Sequence, residues 1–490
     1  MKSILTHRGA RLLAWLERES LPVTVFGLFV CGLIVRLPDQ LRQDGWLALV
    51  SGRVVADSGL PSVDTLTAWT AHVQWVDQQW LGQLFLYRVA SAGNLRLVML
   101  VHVALLAGAM AAALAAARWR GGSARSVGLI AAPALVVILM SAQMRAQSLA
   151  YPLFVAAVWL LIADARSPSR RVLLVLPILV LWANVHGSVV LGALLATLAG
   201  VLLVMRAVRE RSGSNELLLR GTLLAVAPFL CVFASPYGSS LFRYYGDTAF
   251  NSSFGRVVSE WQRSWPSLMT LPFYVLGVAC AWLLVRNRRA LGAFEQLALL
   301  LLFLAGMAAL RNMVWFSFFA LIVLPFPLAQ RLGEVQSKES KKVKTALAAA
   351  AIAAVSVAGA AAASRPDSWL TSSVYPAAAA KAVGAAAATD PTARIYSDVR
   401  FADWLLWTRP ELAGRIAYDA RFELLSSQEL ERLFRLQNRL TPQWKAALAD
   451  HRLVVLPHSQ GSATQAVLAE DGVRRIYGDK SVVILLLPRA

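Results

Sequence analysis

Apolar residues fall into two regimes along this chain. Up to about residue 364 they form long, nearly unbroken blocks; beyond it they form short runs separated by polar turns. A helix needs roughly 17–25 apolar residues to cross the hydrocarbon layer of a bilayer. The pattern predicts about eleven spans: 21–37, 95–117, 126–142, 148–164, 172–185, 188–206, 218–235, 268–286, 294–310, 313–331 and 343–364. Asn184, His186 and Gly187 interrupt one long block, so a tight turn is expected there. The stretch "LRQDGWLALVSGRVV" (41–55) is only half apolar. It reads as a helix in the membrane interface, with Trp46, Leu47, Leu49, Val50 and Val54 against lipid and Asp44 aimed into a cleft.

The final region has another period. "AAAAKAVGAAAATD" after Pro376 reads as a helix ending before Pro391. Short apolar or alternating runs at 393–398, 415–421, 452–457 and 473–488 read as strands, with helical patterns between them at 400–408, 427–437, 442–450 and 462–471. Strands alternating with helices predict a small α/β unit with a largely parallel sheet. The expected organisation is a cytoplasmic N-terminus (1–20), a multi-span membrane domain (21–364) with a long outer loop at 38–94, and an extracytoplasmic α/β domain (365–490). Residues 21–37 end in Arg36 without a small-residue cleavage site and read as a retained anchor.

Composition agrees with a membrane chain: 57% of the 490 residues are hydrophobic and 16% charged. The net charge of +20 would suggest nucleic acid in a soluble protein. Here no arginine-rich arm or aromatic-interleaved basic patch exists, and the basic residues sort by loop. Arg8, Arg11 and Arg18, then Arg118, Arg120 and Arg125, then Arg166, Arg170 and Arg171 occupy alternate segments. Arg206, Arg209 and Arg211, then Arg286, Arg288 and Arg289, then Lys338, Lys341, Lys342 and Lys344 continue the series. That alternation places the N-terminus inside and the C-terminal region outside. Cys31, Cys231 and Cys280 lie in apolar runs and read as core residues.

The polar residues without an obvious structural role then gather at one face. The first outer loop holds Asp39, Asp44 and Asp77; later outer turns hold Arg145, Asn184, His186, Tyr237, Glu260 and Arg311. Each has a plain reading beside a functional one. Asp44 could cap the helix that follows it. Arg145 and Arg311 could snorkel to headgroups, or with Arg243 and Arg256 build an anion site, since guanidinium forks suit phosphate oxygens. His186 could be a packed turn histidine, and Glu260 a loop salt bridge. Asp419 and Arg421 read as a structural pair at a strand end. With no HExxH and only scattered carboxylates, a divalent metal has weak support. The tail carries no GxGxxG and no P-loop.

Several phrases in order carry a resemblance. They are "DGWLALVSGRVVADSGLPSVDTLTAWT" (44–70), "WVDQQWLGQ" (75–83), "RAQ" (145–147), "LWANVHGSVVLG" (181–192), "SPYG" (235–238), "SEW" (259–261), "RNMVWFSFFALIVLP" (311–325) and "YDARFELL" (418–425). By their order and spacing the chain resembles the GT-C superfamily of membrane glycosyltransferases, in particular the bacterial RgtA/B/C/D-like sequences. That resemblance implies a multi-pass protein of the bacterial inner membrane that takes a sugar from a polyprenyl-phosphate donor at the outer face. The acceptor would be a glycan, lipid or protein hydroxyl. It also implies Asp44 as the base and Arg311 and Arg145 as donor-phosphate ligands. Gly45 follows Asp44 where the superfamily often has a second acid, which leaves Asp39 and Asp77 as the expected second carboxylates. The other readings are a polysaccharide ligase or polymerase using His186, a non-catalytic scaffold, and a lipid-handling transporter. No inverted repeat or mid-membrane charge supports the last of these.

Overall fold

A computed structural model describes residues 2–209, 215–250, 258–333, 338–371, 373–438, 442–458 and 461–488; Arg211 and Arg256 lie outside them. In chain order the helices are α1 Lys2–Val35, α2 Leu37–Gln40, α3 Gln43–Ser58, α4 Trp80–Ala92, α5 Leu95–Trp119, α6 Ala124–Met140 and α7 Gln147–Arg166. They continue with α8 Val175–Val185, α9 Val189–Arg209, α10 Asn215–Val232, α11 Ser240–Phe250, α12 Leu271–Asn287, α13 Ala293–Ala308, α14 Met313–Val323, α15 Pro325–Leu332 and α16 Lys338–Ala363. The C-terminal region adds α17 Ala377–Thr389, β1 Ile395–Ser397, α18 Val399–Thr408, α19 Ser427–Asn438, β2 Leu453–Pro457, α20 Gly461–Leu468, β3 Arg474–Gly478 and β4 Val482–Leu486.

Every one of the eleven apolar segments contains helix. Among the described residues six helices are long and apolar enough to cross a bilayer, and a seventh is if the bent pair beginning at Leu310 is one span. The helix Ala124–Met140 and the helix Ala293–Ala308 are apolar but shorter. The chain is therefore a multi-pass membrane protein. The sequence signals at helix starts do what their chemistry allows. Asn94 accepts from the Leu97 N–H (3.1 Å) and Ser123 from the Ser126 N–H (3.1 Å), each satisfying an orphan donor in a first turn. The break at His186 falls between α8 and α9, as the interrupted block predicts.

Two cores follow from the two regimes. The helical core is centred on aromatic rings: Trp315 lies 5.1 Å from Phe154, 5.2 Å from Tyr151 and 5.8 Å from Trp182, centroid to centroid. The second core is shared between the outer loop and the C-terminal region. Trp46 and Trp75 are buried in it with Phe401, Trp404, Ile395 and Leu453. In consequence α3 is not an interfacial helix. Trp46, Leu49 and Val50 are fully buried, covered by α18 and by Tyr375, whose ring meets Trp46 edge-on at 5.4 Å. Lipid contact was the expectation because nothing local announces that residues some 350 positions later will cover this face.

The sheet order is β1-β2-β4-β3. Only β1 and β2 run parallel; β2 with β4 and β4 with β3 are antiparallel, so the sheet is mixed rather than largely parallel. The reason is a turn inside 473–488. Asp479 Oδ1 accepts from the Ser481 and Val482 N–H groups (2.8 and 3.0 Å), folding that run into a hairpin. Residues 415–421 form no strand, only single bridges from Ile416 to Thr67 and Ile395. Along β2, Leu453 and Val455 face the shared core while Val454 and Leu456 face a third cluster with Leu430 and Leu433 of α19. Both faces of β2 are buried, which explains its unbroken apolar run.

Candidate active site

A cavity of about 410 Å³ opens where the helical bundle meets the outer loop and the C-terminal region. Its walls come from the start of α3, the 140–146 turn, His186, α11, the Ser259–Trp261 turn, Arg311 and the Phe422–Leu424 turn.

Backbone packing puts Asp44 there. A Cβ on Gly45 would sit 2.6 Å from the Met144 carbonyl oxygen, so only glycine lets α3 approach this turn. The Met144 N–H donates to the Gln40 carbonyl (2.8 Å) and fixes the same approach from the other side. Arg145 is thereby set beside Asp44. The absence of an acid after Asp44 thus has a steric cause. Asp44 is also not the cap of α3: the N-cap is Arg42, and no side chain caps the helix.

Arg145 Nη1 donates to Asp44 Oδ2 at 3.2 Å and to both oxygens of Glu260 at 2.9 Å. The arginine side chain is 8% exposed, whereas Asp44 is 46% and Glu260 33% exposed, their open parts lying in the cavity. The second carboxylate beside Asp44 is therefore Glu260. Asp39 instead makes an exposed pair with Arg42 (3.4 Å) outside the cavity. Asp77 is buried elsewhere with Oδ2 unpartnered. The two cavity acids differ. Burial pushes the Asp44 carboxyl above its ordinary value despite Arg145, while Arg145 outweighs burial at Glu260 and holds it below. For Arg145 burial alone would favour the neutral form, but Glu260 and Asp44 outweigh it and keep the guanidinium charged.

Arg311 lines the same cavity from the turn Leu310–Asn312, its guanidinium 4.6 Å from the centroid of the Trp261 ring. Among the described residues its side chain forms no hydrogen bond or ion pair, and it borders the space a ligand would fill. Arg145, by contrast, is committed to its two acids. Arg243 lies outside the cavity, donating to Gln74 (3.4 Å).

His186 lies in the cavity wall. Its Nδ1 faces the Ser188 hydroxyl (2.8 Å) and accepts from the Ser188 N–H (3.1 Å), while Trp182 donates to that hydroxyl (3.1 Å). Burial, then Arg311 and Arg145, push its pKa well below the ordinary value. The ring is neutral and its remaining hydrogen sits on Nε2, a donor rather than a base. Asn184 is spent on structure: it accepts from Trp80 and donates to the carbonyls of Val180 and Ala234. Tyr237 ties its loop to the Pro61 carbonyl (3.0 Å) and does not line the cavity.

Sequence reasoning missed Glu423. Burial raises its carboxyl to about 7, and it reaches the cavity from the "FELL" turn. The signal was its place inside the phrase "YDARFELL". No group of three or more His, Cys, Asp and Glu close enough to hold a metal occurs among the described residues.

No protein-family model matches the chain, and no curated protein matches it by sequence. Among solved structures it is similar to ArnT from Cupriavidus metallidurans bound to undecaprenyl phosphate, with TM-score 0.49, 14% identity, and coverage of 94% of this chain and 97% of that one. It is also similar to the archaeal oligosaccharyltransferase AglB from Archaeoglobus fulgidus in complex with an inhibitory peptide and a dolichol-phosphate, with TM-score 0.46, 11% identity, and coverage of 89% and 70%.

Proposed function

We propose that this protein transfers a sugar from a polyprenyl-phosphate donor to an acceptor hydroxyl, with inversion, in the cavity at the end of its helical bundle. The observation that carries the reading is the sharing of Arg145 by Asp44 and Glu260 at a cavity that also holds the uncommitted Arg311. Asp44, the more basic carboxylate, takes the acceptor proton as the acceptor oxygen attacks the anomeric carbon. The bond from that carbon to the phosphate oxygen breaks on the opposite face, and its electron pair leaves with the polyprenyl phosphate. Arg311 meets the charge that grows there. Glu260 stays ionised and keeps Arg145, and through it Asp44, in place. His186 Nε2–H and Glu423, with polar neighbours such as Gln43, Gln143 and Tyr244, are available to orient the sugar or the acceptor.

In this reading residues 21–364 form an eleven-span membrane unit and residues 365–490 an outer unit. The basic loops lie in the cytoplasm, and the cavity opens at the outer face of a bacterial inner membrane.

Delipidated protein incubated with undecaprenyl phosphate and, separately, with the uncharged polyprenol tests the reading by native mass spectrometry. Retention of the phosphate but not the alcohol, lost in Arg311→Gln, is the expected result. Equal retention of both lipids overturns the phosphate site.

A further inference from the structure

Helix α7 begins directly after Arg145 and Ala146 in the wall of the first cavity and ends at a second one. Near the C-terminal ends of α5, α7 and α9 and the first turn of α13 lies a cavity of about 550 Å³. Helix α7 has 20 residues, so at 1.5 Å per residue the two cavities are separated by roughly 30 Å along it.

Arg120, Arg166 and Arg209 line this second cavity beside two carboxylates, Asp164 and Glu295. Both carboxylates are already matched. Glu295 pairs with Arg120 at the floor, where the two side chains are 6% and 3% exposed. Asp164 accepts from the Ser169 N–H (2.7 Å) and faces the buried Arg220 at 3.8 Å. Arg120 retains a buried Nε with no hydrogen-bond partner. The rest of the wall is apolar, from Leu161, Ala199, Leu202 and Leu203.

Arginines in the last turn of a helix are favoured by the helix dipole alone. That preference does not by itself make a void with one apolar wall and a cationic rim. The N-terminus of α13 also borders this space, but there Glu295 already accepts from the Gly292 N–H (2.8 Å).

We infer that this cavity binds an anionic phospholipid of the surrounding membrane, phosphodiester toward Arg166 and Arg209 and acyl chains along Leu161, Leu202 and Leu203. The half-apolar lining selects a lipid over a soluble phosphate, and the rim arginines select an anionic head over a zwitterionic one. The site stands apart from the proposed transfer chemistry.

The test uses the whole protein in detergent after delipidation, with phosphatidylglycerol, phosphatidylcholine or sodium phosphate at matched ionic strength. Thermal unfolding and native mass spectrometry are the readouts. Phosphatidylglycerol is expected to raise the unfolding temperature and give retained adducts, with neither effect from phosphatidylcholine or sodium phosphate. Arg166 and Arg209 are exposed, so the double variant Arg166→Gln, Arg209→Gln should fold like the parent without lipid. It should bind phosphatidylglycerol roughly thirtyfold more weakly. Equal effects of phosphatidylcholine, an equal shift with sodium phosphate alone, or unchanged lipid binding by the double variant would each overturn the assignment.

Discussion

Arg145 and Arg421 are each held between two carboxylates, yet the surroundings separate them. Arg421 donates to Asp419 at 2.6 Å and to Asp64 at 2.8 Å, its guanidinium stacked 4.3 Å from the centroid of the Trp75 ring, and all three charged side chains are at most 3% exposed. Burial alone would raise Asp64, but Arg421, the hydroxyls of Thr67 and Thr70 and the Leu66 N–H hold it below its ordinary value. That cluster is closed: it locks the outer loop to the C-terminal region. Around Arg145 the same charges face open space, and one of the acids is pushed the other way. Asp44 is a candidate base because it lies deep enough for burial to raise its carboxyl and yet opens on a cavity.

Substitution at the open cluster should give the largest effect on chemistry. Asp44→Asn is expected to lower transfer by about 10²–10⁴-fold while the unfolding temperature stays near that of the parent. Asp419→Asn should do the reverse, losing stability first. Near-full turnover by purified Asp44→Asn would remove Asp44 as the base. Because its carboxyl is raised above 3.8, the acid limb of the rate profile should lie above that of a free aspartate. Arg311→Gln follows, with about 10²–10³ lost in turnover; unchanged turnover with saturating donor would exclude charge stabilisation by this side chain.

The comparison itself can be tested with matched arginine variants. Arg421→Met leaves two acids buried without a counter-charge and should cost about 3–5 kcal/mol. Arg145→Met leaves acids that water in the cavity can reach and should cost less than half as much by denaturant titration. Equal losses would erase the distinction between closed and open clusters.

The smallest effect concerns Asp77, raised to about 7 mainly by burial and only partly relieved by Arg421. Its stabilising contribution is present below the unfolded value and is lost as pH rises through 7. Asp77→Asn should therefore stabilise the protein at pH 8 relative to pH 5, by on the order of 1–3 kcal/mol. A difference independent of pH would show that this carboxyl titrates normally.

The positions of the membrane helices were readable because each apolar block declares itself without reference to the rest of the chain. The turn at His186 was readable for the same reason. Most of what escaped reading depended on distant partners. Asp39 and Asp77 lie near Asp44 in sequence, but Glu260 reaches it across a fold in which Arg145 is the meeting point. Glu423 enters the cavity because Asp419 and Arg421 pin the preceding turn. The hairpin at Asp479 was signalled by "GDKS", whose Asx-turn chemistry outweighs the apolar runs on either side.

The shared core also sets a timetable for synthesis. Trp46 and Trp75 leave the ribosome 349 and 320 residues ahead of β1, yet their covering comes from Phe401, Trp404 and the strands beyond. At roughly 5–20 residues per second that is an interval of about 16–70 s with an unfinished apolar surface. During it the outer loop is a client for whatever chaperone attends the emerging chain. A chain stopped before residue 395 would keep its membrane helices and still leave this surface bare.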